Sequence, residues 1–122
     1  MKYHTFLPQF HPLILAGSKT TTIRGSTRVK PGERFALRNW TARPYGSPMG
    51  FLGTAQCTSV REAHVSFEGV QFGWGIWPDR DAVARADGFA DWIAMRDHFG
   101  KRLPFSGVLI AWDPQTFVAG AP

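Results

Sequence analysis

The sequence predicts a mainly β fold with some α, an α+β class: a small, mostly antiparallel β-barrel with two or three flanking helices. Three observations lead there. Segments of period-two or β-branched character outnumber helical ones. Their spacing is irregular, unlike the alternation of strands and helices that builds a parallel sheet. A chain of 122 residues with 43 % apolar residues, ten Phe and five Trp is long and greasy enough to bury one core.

Met1 to Phe6 reads as a short first strand, and Pro8 to Gly17 (PQFHPLILAG) as a short helix. Leu13, Ile14 and Ala16 supply its apolar face, and Gly17 suits a left-handed C-terminal cap. Lys19–Arg24 is β-branched and extended. Val29-Lys30-Pro31-Gly32-Glu33 is a turn, because proline presets one central dihedral and glycine accepts the positive one. Arg34–Trp40 follows as a strand with Phe35, Leu37 and Asn39 on one face and Arg34, Arg38 and Trp40 on the other. Residues 41–50 form a Pro- and Gly-rich loop.

Phe51–Val60 is a strand, with a second through Val65–Trp77. There the alternation sets Phe72, Trp74 and Ile76 against Gly73, Gly75 and Trp77. A glycine-lined face either admits a ring or makes room for a bend of the barrel. Asp79–Ala86 and Asp91–Phe99 are helices; Asp79 or Asp81 caps the first, and Trp92, Met95 and Phe99 give the second a core face. Phe105–Trp112 is a closing apolar strand. The domain is expected over residues 1–113, with 114–122 as a frayed tail.

Charge is unevenly placed. Seven cations fall between Lys19 and Arg43 against the single acid Glu33, while the whole chain carries +5. Ten of the fourteen cations are Arg, whose planar fork suits phosphate. The run is either the face that meets an anionic partner, RNA or a nucleotide, or a solvated surface. No apolar run approaches the roughly 18 residues that cross a bilayer. The N-terminus lacks the basic-then-apolar pattern of a secretory signal. Cys57 has no partner for an internal disulfide, which fits a reducing cytoplasm, and sits as buried filler in a strand. The four histidines (His4, His11, His64, His98) have no zinc-binding spacing, so no metal or other cofactor is expected. His4 and His11 would line a cleft beside the first helix or serve as ordinary structural histidines. Oligomeric state is not legible.

One combination of short motifs is more specific. The run Ile14-Leu15-Ala16-Gly17-Ser18-Lys19-Thr20 precedes Thr22-Ile23-Arg24, then Lys30-Pro31-Gly32-Glu33, then Asp87-Gly88-Phe89 ahead of an amphipathic helix. Together these resemble the ASCH domain family over roughly residues 3 to 112. The resemblance implies a PUA-like β-barrel, a fold commonly used to bind RNA. Some small ASCH proteins are similar to amidohydrolases that remove the acetyl group of N4-acetylcytidine, and others act as ribonucleases. In the amidohydrolase branch a lysine and a threonine of this run and a glutamate before the later helix are catalytic. They fall here on Lys19, Thr22 and Asp87, the last one methylene shorter than the family's glutamate.

The chemistry requires more than the motif. A threonine hydroxyl is a weak nucleophile until a base removes its proton. Lysine is such a base only when burial or a neighbouring cation, here Arg24, depresses its pKa. In a regular strand over 19–24, Lys19 and Thr21 would share one face and Thr20, Thr22 and Arg24 the other. Lys19 therefore meets Thr22 only if the chain turns at Lys19 or a bulge re-aims it. On this reading Lys19 is the base, Thr22 the nucleophile and Asp87 the group that orients or later shuttles a proton. Arg24 would bind an anionic or carbonyl group, and N–H groups near Gly17 or Gly25 would face the oxyanion. Alternatively Thr20, Arg24 and Arg38 hold RNA while Trp40, Tyr45 or Trp74 stacks on a base, without catalysis. A ribonuclease would draw on His4, His11, Tyr45 and Lys19.

Overall fold

The computed structural model describes residues 1–41, 44 and 49–120. Strand β1 (Tyr3–Phe6) leads into a 3-10 turn (Pro8–Phe10) and helix α1 (His11–Leu15), which ends at Gly17 with φ +78°. Strands β2 (Thr21–Arg24) and β3 (Arg34–Trp40) follow, then the long β4 (Met49–Ser66) and the short β5 (Gly69–Phe72). Helices α2 (Arg80–Ala86) and α3 (Trp92–Phe99) precede the last strand, β6 (Phe105–Ala119).

The six strands form one sheet in the order β1-β3-β4-β6-β2, with β5 also on β4; β1·β3 is parallel and every other pairing antiparallel. The α+β class is as expected, but the barrel is not closed. Among the described residues the edge strands β1 and β2 do not pair. Each is only four residues long, and the gap between them holds a side chain instead of a ladder. The Arg24 guanidinium lies 5.0 Å from the Phe6 ring centroid and donates to the Thr5 carbonyl at 2.7 Å.

Irregularities in the long strands account for other departures from the sequence reading. A shift between Leu37 and Arg38 breaks the simple alternation of β3. The expected break near residue 60 is absent, because β4 runs through to Ser66. The expected strand through Trp77 stops at Phe72. Gly73, at φ +59°, turns the chain there, so no glycine-lined strand face forms. Residues 114–119 continue β6 rather than fray: Val118 and Ala119 pair with Thr54 and Gly53. Pro114 falls where the β4·β6 register shifts, a place that needs no proline N–H.

The helices keep their expected starts. Asp79 caps α2 by accepting from the Asp81 and Ala82 N–H groups, and Asp91 caps α3 by accepting from Ala94 N–H. The Asp81 carboxylate accepts instead from Trp92 N–H, tying the two helix starts together. The interior divides into two apolar clusters. Phe6, Phe10, Phe35, Leu37, Cys57 and Trp112 belong to one; Val65, Val70, Trp92, Met95, Phe99 and Leu109 belong to the other. Phe89 packs against both. Among the described residues no helix is long and apolar enough to cross a membrane.

Among the described residues strand β2 pairs with β6 alone, and Gly107 is what lets its end approach: a Cβ there would overlap the Arg24 carbonyl oxygen. Gly107→Ala should therefore destabilise the fold by about 1–3 kcal/mol. Thermal denaturation should record this as a Tm several degrees lower.

Candidate functional site

The end of α2 fixes the acid of the site. Phe89 N–H bonds the Ala84 carbonyl at 2.9 Å and Gly88 N–H the Arg85 carbonyl at 3.1 Å, the pair of bonds of a Schellman cap. Gly88 takes φ +99°, and a Cβ there would lie 2.9 Å from Phe10 and 3.1 Å from Lys19. Asp87-Gly88-Phe89 is thus a helix-ending turn, and the same turn delivers the Asp87 side chain to the interior, 5 % exposed.

The base arrives from the other side. Lys19 N–H bonds the Leu13 carbonyl and Thr20 N–H the Ala86 carbonyl, so Lys19 lies in the turn after α1, ahead of the β2 ladder. Strand alternation does not govern it. Its side chain is 2 % exposed, and Nζ donates to the Thr21 carbonyl at 2.7 Å and to the Asp87 carbonyl. The Asp87 carboxylate stands 3.6 Å from Nζ and accepts a 3.0 Å bond from the Thr21 hydroxyl. Phe10 and Phe6 flank the amine, with centroids 4.5 and 5.7 Å from Nζ.

Burial lowers the Lys19 pKa from 10.5 to about 8; Asp87 opposes the shift and Arg24 adds to it. Burial likewise raises the Asp87 pKa, against the pull of Lys19 and the Thr21 hydroxyl. At pH 7 roughly one Lys19 amine in ten is then unprotonated. A neutral amine has two N–H groups and one lone pair. The two carbonyls take the N–H groups and leave the lone pair for chemistry.

Lys19, Thr22, Arg24, Trp40 and Asp87 line one cavity of about 340 Å³, with Phe6, Phe10, Phe89, Phe99 and His98 among its other walls. It lies where the two apolar clusters meet. Lys19 and Thr22 share this cavity without a hydrogen bond between them; the Thr22 hydroxyl accepts from Arg24 Nε at 3.0 Å. Arg24 is therefore engaged with Thr22 and Thr5 rather than presented to a ligand as the sequence suggests. Gly17 N–H, an expected oxyanion donor, bonds the Ile14 carbonyl.

The remaining sequence candidates lie elsewhere. Thr20 is backbone-bonded to Ala86 and Trp112 and is not in the lining; Arg38 sits 4.3 Å over the Tyr3 ring. Trp74 is exposed and stacks on His64 at 3.7 Å. Tyr45 falls outside the described residues. His4 bonds Thr27 at 2.8 Å and its pKa is lowered to about 4 by burial and Arg24; His11 bonds the Phe6 carbonyl. Among the described residues no group of three His, Cys, Asp or Glu side chains is placed to hold a metal. The sequence reading missed Thr21, the aromatic walls and His98. Phe10 and Phe89 come from distant helix ends, and only the Asp-Gly-Phe motif hinted at one of them.

The fold is similar to that of an ASCH protein of known structure. The chain is similar to the crystal structure of a tyrosine-to-phenylalanine mutant of ZmASCH from Zymomonas mobilis. The match has TM-score 0.52 at 19 % identity and covers 97 % of this chain and 73 % of that one. No protein-family model and no curated protein matches the sequence.

Lys19→Met leaves Asp87 buried without its cation and should cost about 3–5 kcal/mol. Lys19→Met with Asp87→Asn should cost less than the sum of the two single changes, read by chemical denaturation. The unfolded chain holds the Lys19 proton more tightly than the folded one, so it binds more protons between pH 8 and 10.5. Stability from this group therefore rises with pH across that window. The rise should be missing when Lys19→Met is compared with the parent over the same range.

Proposed function

We propose that this ASCH-fold chain is an amidohydrolase that cleaves the N4-acyl amide of a modified cytidine such as N4-acetylcytidine. The observation that carries the reading is the Lys19 amine, buried in an aromatic cavity with its pKa lowered to about 8, beside Thr22 and Asp87. The Lys19 lone pair takes the Thr22 hydroxyl proton as Oγ1 adds to the acyl carbon. The C–N bond then breaks, the departing amine takes the proton from Lys19, and an acetyl ester is left on Thr22. Water activated by the same amine releases acetate.

Arg24 serves the nucleophile. A guanidinium N–H on Oγ1 favours the alkoxide and leaves the hydroxyl proton free to go to Lys19. Asp87 keeps the amine in place and steadies its charged form, a role that its carboxylate fills from 3.6 Å. The aromatic walls suit a planar base. No cofactor enters these steps, and a cytoplasmic setting fits a nucleoside released from RNA.

A non-catalytic RNA-binding role draws less support, because several cations of the basic run are already committed. Arg24 bonds Thr22 and Thr5, Arg34 bonds Thr54 and Thr116, and Arg38 covers Tyr3. A ribonuclease role rests on no comparable grouping.

Purified protein should release acetate from N4-acetylcytidine, with kcat/KM rising through about pH 8 and levelling above it, because the free amine is the active form. Thr22→Val should abolish turnover, and Lys19→Met should lower it by about 10²- to 10⁴-fold. Full activity in both variants would remove this site from consideration.

A further inference from the structure

The polar groups in the depth of the cavity are largely spent on one another. Lys19 bonds two carbonyls, Asp87 accepts from Thr21, and Thr22 accepts from Arg24. His98 is different. It sits in the last turn of α3 and lines the cavity, and neither ring nitrogen hydrogen-bonds a described residue. Its ring is steered by aromatic neighbours instead: Phe89 at 5.1 Å, Phe10 at 6.0 Å and Phe99 at 6.3 Å between centroids. The Phe10 ring that touches His98 is also the one beneath the Lys19 amine.

We propose that His98 is a specificity-determining residue of this cavity, which hydrogen-bonds the heteroatom edge of a pyrimidine while Lys19 and Thr22 act on its acylamino group. The inference rests on the amidohydrolase reading above. An uncharged imidazole keeps one N–H donor, which suits a ring edge whose nitrogen and carbonyl oxygen are both acceptors. Burial, Arg102 and Lys19 all lower the His98 pKa, so the ring is in this uncharged form at neutral pH. Arg102 itself is turned back: it donates to the His98 carbonyl at 3.3 Å and covers the Phe99 ring at 4.9 Å. Aromatic walls alone would accept any flat amide, since stacking does not distinguish a pyrimidine from a benzene ring. A site built to hydrogen-bond a substrate group discriminates against the analogue that lacks it.

Two substrates separate these effects. N4-acetylcytosine and acetanilide carry the same acetamido group on a flat six-membered ring, but only the first has the ring nitrogen and carbonyl. For the parent enzyme, kcat/KM should favour N4-acetylcytosine. His98→Phe keeps an aromatic ring against Phe10 and Phe89 and removes the hydrogen bonds. It should shrink that preference about tenfold, the size of one hydrogen bond lost. Most of the change should appear in KM for N4-acetylcytosine, with acetanilide turnover altered less than twofold. His98→Gln, which restores a donor and an acceptor, should recover part of the preference. An unchanged preference in His98→Phe, or an equal loss on both substrates, would overturn the role of His98 while leaving the amidohydrolase intact. A parent enzyme that hydrolyses neither of these nor N4-acetylcytidine would overturn the amidohydrolase reading, and this one with it; one that hydrolyses N4-acetylcytidine but not N4-acetylcytosine would overturn the role of His98 as the group that selects the base.

Discussion

A lysine amine and a carboxylate lie 3.6 Å apart inside this protein, almost out of reach of water, and much of the nearby architecture exists to make that tolerable. Burying either charge alone would be prohibitive. Here each is held by several groups: the amine by two backbone carbonyls, the carboxylate by a threonine hydroxyl and by the amine. The elements that supply these partners are fixed independently of them. A helix-ending cap places Asp87, the turn after α1 places Lys19, and the β2·β6 ladder places Thr21. Three local structures, each with its own reason to form, converge on one pair of charges.

The residual imbalance is what gives the pair chemical character. Desolvation outweighs the mutual attraction, so both groups are pushed toward their neutral forms. An exposed lysine at neutral pH is almost wholly protonated and useless as a base. Moving it to the wall of an aromatic cavity, within the field of a second cation at Arg24, raises the unprotonated fraction. The three consecutive threonines divide the work. Thr20 joins elements through its backbone, Thr21 holds the acid, and Thr22 faces the cavity with its oxygen already bonded to a cation.

Much of this was legible in the sequence where local rules act. Caps, turns and helix faces follow from Asp79, Asp91, Gly17 and Trp92, and the Lys19, Thr22 and Asp87 grouping followed from a resemblance in short motifs. Sequence alternation failed where the chain departs from regular geometry. Gly73 turns Trp74 out of a strand, a shift after Leu37 resets the faces of β3, and a register change lets β6 continue past Pro114. The open edge of the sheet was hidden for another reason. Nothing in the spacing of β1 and β2 says that an arginine, rather than a ladder, fills the space between them. His98 was equally hidden, because its neighbours come from the 3-10 turn before α1 and from the α2 cap, far away in the chain.

The meeting of two apolar clusters at the cavity has a mechanical consequence. Phe89 is the piece of chain that packs into both, and it follows directly on the turn that carries Asp87. A flat molecule seated among Phe6, Phe10, Phe89 and Phe99 would act as a wedge of filler across the joint and add apolar contact to both clusters at once. Its binding energy would then resist their separation, coupling occupancy to the cohesion of the whole domain through mass action. The cavity is in this sense a keystone position, set at the joint that the two clusters share.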